Sequence, residues 1–280
     1  MNAPTTSPIM AALTDEEFQK IAAIASEEAG LSIPDSKRSL VQSRISRRLR
    51  HLRLPTCRDY LQLLSDAPSE KRELVSILTT NVSSFYRESH HFEFLRKTIF
   101  PSIPTRLNQG DRVRFWSAGC SSGEEPYTLA IELLKAIPEA ASSDLLILAS
   151  DIDPKILERA KTGTYSPSAV DTIAPEDRRK FLTASSDDDE MFSVGDELRN
   201  LVRFRELNLH ATWPMRHPFD VIMCRNVVIY FDEHRQRELW PRFREMLVPG
   251  GRLILGHSER IHPIESSGFT TESVTVYRRT

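Results

Sequence analysis

Between residues 14 and 80 the apolar positions recur at helical spacing, and nothing in that stretch alternates as a strand would. Thr14-Asp15-Glu16-Glu17 has the form of a capping box, with Thr14 as N-cap and Glu17 at the third helical position. Phe18, Ile21, Ile24 and Ala25 follow on one face, and Gly30 supplies a stop. A second helix is expected after Pro34-Asp35-Ser36, with Leu40, Val41, Ile45, Leu49 and Leu52 as its apolar positions. Two more are expected over 58–64 and 69–80, so residues 1–80 read as a small all-helical domain. From Asp111 the pattern changes. RVRFWSAG, DLLILASD, LVRFREL, FDVIMCRN, GRLILGHSE and SVTVYRR are short, apolar and rich in β-branched and aromatic residues. Helical stretches over 124–137, 154–161 and 233–247 fall between them. That alternation predicts an α/β domain over 81–280 with a doubly wound, mostly parallel sheet. Residues 181–204 break the rhythm, and we expect a small β insertion of hairpin type there, carrying the acidic run Asp187-Asp188-Asp189-Glu190.

The chain has 280 residues and a net charge of −2; 40% hydrophobic and 27% charged residues exclude wholesale disorder. Cys57, Cys120 and Cys224 are far apart and odd in number, which fits neither a disulfide framework nor a metal knuckle. The first residues carry no Lys or Arg ahead of an apolar core, so no secretory signal is expected. No apolar run approaches the roughly 20 residues that span a bilayer. These features describe a reduced, soluble, cytoplasmic protein.

The candidate chemistry starts at Ala118-Gly119-Cys120-Ser121-Ser122-Gly123-Glu124-Glu125, a strand-to-helix turn of small residues where a ligand can approach the backbone. A dinucleotide fingerprint would read Gly-x-Gly-x-x-Gly, with an acid about 20 residues on. Here the glycines are spaced differently and the next strand-end acid, Asp151, lies farther along. Glu124 and Glu125 at the turn would repel a pyrophosphate and suit a cationic ligand. Asp151 closes the run LLILAS, where a carboxylate can accept both hydroxyls of a ribose, whereas Asp153 suits the N-cap of a helix opening at Pro154. An adenosine with a cationic tail satisfies all of this, and S-adenosylmethionine is such a molecule. Val248-Pro249-Gly250-Gly251 ahead of RLILG resembles the turn before a late strand in class I S-adenosylmethionine-dependent methyltransferases.

Four segments in order carry a more specific likeness: TTNVSSFYRE (79–88), WSAGCSSGEEPY (116–127), ASDID (149–153) and CRNVVIYF (224–231), extended by GHSE (256–259). Together they resemble the CheR family of chemotaxis receptor methyltransferases, from about residue 13 onward. The resemblance implies a two-domain cytoplasmic enzyme that moves a methyl group from S-adenosylmethionine to glutamate side chains on the helical signalling region of bacterial chemoreceptors, leaving S-adenosylhomocysteine. It implies that Asn81, Ser83, Arg87, Glu125, Asp151, Asn208, Leu209, Arg225 and Asn226 line the cofactor, and that Arg87 and Tyr230 face the transferring methyl. Ser83 stands where many relatives have threonine, which keeps a hydroxyl. It also implies a small β-subdomain at 181–204, whose edge in some relatives captures a receptor C-terminal peptide by strand addition.

A glutamate nucleophile has a reference pKa near 4.3 and is ionised at neutral pH, so no general base is required. Arg87 suits either a bidentate hold on the substrate carboxylate or orientation of the cofactor, and the sequence leaves both open. Tyr230 can donate a hydrogen bond to that carboxylate and set its ring beside the sulfonium. Phe115, Trp116 and Phe219 read as core. His90, His91, His210, His217 and Cys224 do not share metal-ligand spacing, and no metal is expected. Between Lys37 and Arg53 seven basic residues occur with no acid. Arg44, Arg47 and Arg48 on this helix are the expected docking surface for the acidic receptor helices. Without interleaved aromatics it does not read as a nucleic-acid site. Two other readings stay open on the sequence: a class I methyltransferase for another protein or a small carboxylate, and a non-catalytic cofactor-binding signalling module.

Overall fold

Thr14 opens the first helix through both halves of its capping box: Glu17 N donates to Thr14 Oγ1 at 3.2 Å, and Thr14 N donates to Glu17 Oε2 at 2.9 Å. Gly30 closes that helix in the left-handed region at φ 73°. Caps of this kind contribute about 1 kcal/mol each. In the computed structural model, which describes residues 12–185 and 191–280, the chain divides into two units, 1–80 and 81–280. The acidic run Asp187–Glu190 lies outside the described residues.

The first unit holds α1 (Asp15–Ala29), α2 (Arg38–Leu52), α3 (Cys57–Asp66) and α4 (Pro68–Leu78). Thr56 caps α3 by accepting from Asp59 N at 3.2 Å, and Pro68 sits in the first turn of α4, where its missing N–H is not needed. On α2 the buried positions are Val41, Ile45 and Leu49, packed with Phe18, Ile21, Tyr60, Leu64 and Leu74. Leu40 is 40% exposed. Adjacent residues on a helix point about 100° apart, and Leu40 falls outside the stripe that Val41, Ile45 and Leu49 bury.

In the second unit the strands are β1 (Val113–Ala118), β2 (Leu145–Asp151), β3 (Thr164–Tyr165), β4 (Leu182–Ala184), β5 (Phe192–Val194), β6 (Val202–Glu206), β7 (Phe219–Cys224), β8 (Leu247–Leu255), β9 (Phe269–Ser273) and β10 (Val276–Arg279). Seven form one sheet in the order β6-β2-β1-β7-β8-β10-β9. The pairs from β6 through β8 are parallel, and β10 is antiparallel to both of its neighbours. The chain builds outward from β1 through β2 to β6, then returns to β7, so the strand order reverses beside β1. Ligands bind at such switch points, beyond the carboxyl ends of the strands. Phe115, Trp116 and Phe219 are buried, and β7 is buried along its whole length, as parallel strands covered on both faces are. Helices Glu124–Ala136, Pro154–Thr162 and Glu233–Glu245 stand between strands at the expected places.

The differences from the sequence expectation are local. β4 and β5 pair as an antiparallel hairpin, but β3 joins them on the far side of β5, and within 181–204 the chain also forms a helix, Asp196–Leu201, before entering the main sheet at β6. Pro249-Gly250-Gly251 lies inside β8 rather than ahead of it. Gly250 has φ 74° and the β7–β8 register shifts between Phe219 and Val221, so the segment is a bulge. Short helical turns over 90–108 and strand β9 had no sequence counterpart. β9 buries one residue in five, which leaves no alternation to detect. Among the described residues no helix is long and apolar enough to cross a membrane.

Candidate active site

Past β1 the backbone turns through Gly119 at φ 80°, Ser121 at φ 49° and Gly123 at φ 96°. Gly119 N and Cys120 N both donate to Ser150 O, at 2.8 and 2.9 Å, which ties the turn to the end of β2. A Cβ on Gly119 would stand 2.3 Å from Val227 Cγ2, so this turn admits no side chain on the face toward 226–230. Asp151, the last residue of β2, is 8% exposed. Its Oδ2 accepts from Ser121 N at 2.8 Å and its Oδ1 from Asp153 N at 3.0 Å. Burial pushes the Asp151 carboxyl above the usual carboxylate range, against those two donors. One donor on each oxygen leaves acceptor capacity on both, which is what a vicinal diol needs.

Asp153 caps the helix Pro154–Thr162 through Lys155 N at 2.9 Å and takes Asn81 Nδ2 at 3.0 Å. Ser121 Oγ donates to Asn81 O at 3.1 Å, so Asn81 is brought to the rim of this turn. Leu207 N donates to Asp151 O at 2.9 Å and carries Asn208 and Leu209 to the same place. Arg242 Nη1, from the helix Glu233–Glu245, donates to Leu209 O at 2.6 Å, and Trp213 Nε1, from the same loop, donates to it at 3.1 Å.

A row of buried charge runs alongside. Arg225, just after β7, donates from Nη1 to Glu125 Oε2 at 3.0 Å and from Nη2 to the Arg87 carbonyl oxygen; Nη2 also lies 3.4 Å from Glu88 Oε2. Glu125 takes Ser117 Oγ at 2.7 Å as well. Burial raises its carboxyl, while Arg225 and Ser117 pull it back. The sequence presented Glu125 as a free acid awaiting a cationic ligand, and the fold gives its charge a partner already.

Asn226 stands in the left-handed region at φ 60°. Glu259, 3% exposed, accepts four backbone N–H groups around it: Asn226 at 2.9, Val227 at 2.8, Ile229 at 3.3 and Gly256 at 2.6 Å. This carboxylate shapes the turn that leads into Val228–Tyr230 and was visible in the sequence only as the last letter of GHSE. Tyr230 ends that turn half-buried, with its N donating to Val227 O at 3.1 Å. Ser83 and Arg87 are half-buried in the loop after Asn81, and Arg87 Nη1 donates to Val82 O at 3.1 Å.

Glu88, His90 and His91 present ligand-type atoms within 4.8 Å of one another, a grouping the sequence spacing did not suggest. The Arg225 guanidinium, 3.4 Å from Glu88, sets a fixed positive charge against a metal cation there, so Glu88 is assigned to its ion pair with Arg225. His91 is fully buried, with Nε2 2.8 Å from Thr275 Oγ1. Burial first, then Arg225, holds its pKa down to about 3. In the unfolded chain it would titrate near 6.5. Between those values the unfolded state binds more protons, so His91's contribution is intact above pH 6.5 and is lost as pH falls. At pH 5 stability is expected to be about 2 kcal/mol lower from this residue alone. Urea unfolding at pH 8 and pH 5 measures it, and a His91→Gln variant is expected to show a shallower slope across that window.

The basic residues of α2 are unequally available. Arg48 makes a two-pronged pair with Glu70, Nε–Oε1 at 2.7 and Nη2–Oε2 at 2.5 Å, with Glu73 3.6 Å away. Arg44 donates to Ile77 O and Thr79 O at 2.9 and 2.8 Å, closing the end of α4. Arg47 and Arg50 are exposed.

Residues 81–278 match the family described as CheR methyltransferase, SAM binding domain, and residues 16–79 match CheR methyltransferase, all-alpha domain. The chain belongs to the CheR methyltransferase family. A probable chemotaxis protein methyltransferase of Rhizobium etli is 44% identical over 256 residues, covering 90% of this chain and 96% of that protein. The chemotaxis protein methyltransferase of Escherichia coli is 38% identical over 270 residues, covering 95% and 91%. Among solved structures, a TehB-like SAM-dependent methyltransferase of Corynebacterium glutamicum covers 68% of this chain and 96% of that one, at 13% identity and TM-score 0.35, a likeness too weak to bear on the site. The protein is thus a methyltransferase of chemotaxis with S-adenosylmethionine as cofactor.

Proposed function

We propose that the protein methylates glutamate side chains on the helical signalling region of bacterial chemoreceptors, in the cytoplasm, forming methyl esters. The observation that supports this reading best is the placement of Asp151 at the end of β2 and of Arg225 and Asn226 just after β7, beyond the carboxyl ends of strands about the switch point, with Arg225 holding the Arg87 carbonyl, in a chain whose relatives are chemotaxis protein methyltransferases. S-adenosylmethionine supplies an electrophilic methyl group on a sulfonium. Asn81, Ser83, Arg87, Glu125, Asp151, Asn208, Leu209, Arg225 and Asn226 would line it, with the spare acceptor capacity of Asp151 suited to the ribose.

A glutamate carboxylate is already the nucleophile at neutral pH, so the residues have no proton to remove. Their work is alignment and exclusion of water, effects that supply about 7–11 kcal/mol in well-oriented systems. Arg87 and Tyr230 are the catalytic pair in this reading: Tyr230 holds the incoming carboxylate through its hydroxyl, and Arg87 fixes either that carboxylate or the cofactor. Transfer of labelled methyl to a purified receptor signalling fragment tests the proposal. Mapping to glutamates, undiminished by excess small carboxylic acids, supports it. Label on other residue types, or competition by small acids, overturns it.

Docking of the receptor helices falls to α2, where Arg44, Arg47 and Arg48 were the sequence candidates. Because Arg44 and Arg48 are committed inside the helical unit, reversing them perturbs folding as well as docking. Arg47→Glu with Arg50→Glu perturbs docking alone. The pair is expected to raise KM for the receptor about tenfold at low salt, to lose that effect at high salt, and to leave cofactor affinity unchanged. Initial rates at two salt concentrations check this. A receptor C-terminal peptide would add a strand at an edge of the small sheet, whose edge strands are β3 and β4.

A further inference from the structure

Arg87 lies between two non-glycine residues in the left-handed region, Tyr86 at φ 57° and Glu88 at φ 54°. L-residues seldom adopt that conformation, and they keep it when surrounding contacts over-determine it. Both neighbours meet that condition. Tyr86 N donates to Thr128 Oγ1 at 3.2 Å and its hydroxyl to Glu132 Oε1 at 2.9 Å, which locks one side of Arg87 to the helix Glu124–Ala136.

On the other side the work falls to one carboxylate. Glu88 Oε1 accepts from Asn226 Nδ2 at 3.3 Å and His257 N at 3.3 Å, and lies 2.9 Å from His257 Nδ1. Its Oε2 faces Arg225 Nη2 at 3.4 Å and His91 Nδ1 at 3.5 Å. Arg225 closes the loop by donating from the same Nη2 to the Arg87 carbonyl oxygen. The two oxygens of Glu88 therefore reach three segments, those of His91, Arg225–Asn226 and His257, that are remote from one another in sequence.

We propose that Glu88 is a positioning residue for methyl transfer, a clasp that fixes the loop bearing Arg87 against Arg225, Asn226 and His257. The proposal rests on the receptor-methylation reading above. An ion pair serving Arg225 alone would leave Oε1 free, whereas Oε1 has three contacts of its own. The charge needed for this role is secure. Burial opposes it, but the bond from His257 and the nearby Arg225 hold the Glu88 carboxyl down to about 2.

The test compares Glu88→Ala, Glu88→Gly and Glu88→Gln with wild type in the full-length protein, on a receptor signalling fragment at saturating S-adenosylmethionine. Melting temperature and calorimetric affinity for S-adenosylhomocysteine are measured alongside. Alanine and glycine are each expected to lower kcat by about a hundredfold, the scale of a small misplacement of a reacting group. KM for the receptor is expected to move less than about threefold. Glutamine keeps an acceptor for Asn226 and His257 and is expected to fall between. Glycine is free of the left-handed penalty, so recovery of kcat by Glu88→Gly would show that only backbone conformation mattered and would overturn the clasp. Glutamine within about twofold of wild type, with alanine also active, would overturn it as well. If alanine fails to fold, the glutamine and glycine comparison still decides. Wild type that methylates no receptor fragment would overturn the receptor-methylation reading itself.

Discussion

Asp151→Ala is expected to weaken binding of S-adenosylmethionine and S-adenosylhomocysteine by about a hundredfold or more. A hydrogen bond to a charged group contributes about 1.5–3 kcal/mol, and a ribose offers two hydroxyls to this one carboxylate. The substitution also leaves Ser121 N and Asp153 N without the acceptors they have at 2.8 and 3.0 Å, so the turn that shapes the pocket loosens with it. Asp151→Asn keeps the shape but turns one end of the group into a donor, and is expected to bind between the two. Calorimetric titration of the three proteins with both ligands measures this. Wild-type affinity in the alanine variant would remove Asp151 from the cofactor site.

The second large effect belongs to Arg225. Its side chain is 2% exposed and lies between Glu125 and Glu88, themselves 13% and 11% exposed. Removing one partner of a buried ion pair costs about 3–5 kcal/mol, because the other charge is left without compensation. Here two carboxylates are left, together with the carbonyl of Arg87. Arg225→Met is therefore expected to lower stability by about 3–5 kcal/mol, which for a unit of this size is a fall of roughly 10 °C in melting temperature. Arg225→Lys is expected to recover little, since one ammonium cannot reach acceptors that a planar fork meets separately. Adding Glu125→Gln to Arg225→Met is expected to return part of the loss. Chemical denaturation of the four proteins checks all three statements, and a loss under about 1 kcal/mol in Arg225→Met would show that the charges are solvated rather than buried.

Local chemistry was legible in the sequence wherever the partner lay within a few residues. The Thr14 and Glu17 capping box, the Gly30 stop and the Asp153 cap are each short-range, and each is present. Strand identity was legible for the apolar runs of a parallel sheet, which are buried on both faces, and not for β9, which faces solvent along most of its length. Proline and glycines over 249–251 signalled a turn, but the neighbouring strand absorbed them as a bulge.

What the sequence hid at the site was pairing at long range. Glu125 and Arg225 meet beyond the carboxyl ends of the neighbouring strands β1 and β7, Glu88 meets Asn226 and His257, and one carboxylate at Glu259 gathers four amides; no periodicity encodes such meetings. The same holds in the helical unit. The basic run of α2 was plain, but no local pattern marks Glu70 as the partner of Arg48 or carbonyls at the end of α4 as the partners of Arg44, leaving Arg47 and Arg50 outward.

The measurement that tests the account most directly is the alkali lability of the transferred methyl group. Receptor signalling fragment is incubated with the protein and S-adenosylmethionine labelled in the methyl, separated from cofactor, and held at mild alkaline pH. A carboxylate nucleophile makes an ester, so label on the receptor is expected to be released as methanol, and Asp151→Ala is expected to label far more slowly at the same cofactor concentration. Alkali-stable label would place the methyl on nitrogen or sulfur and contradict the glutamate reading.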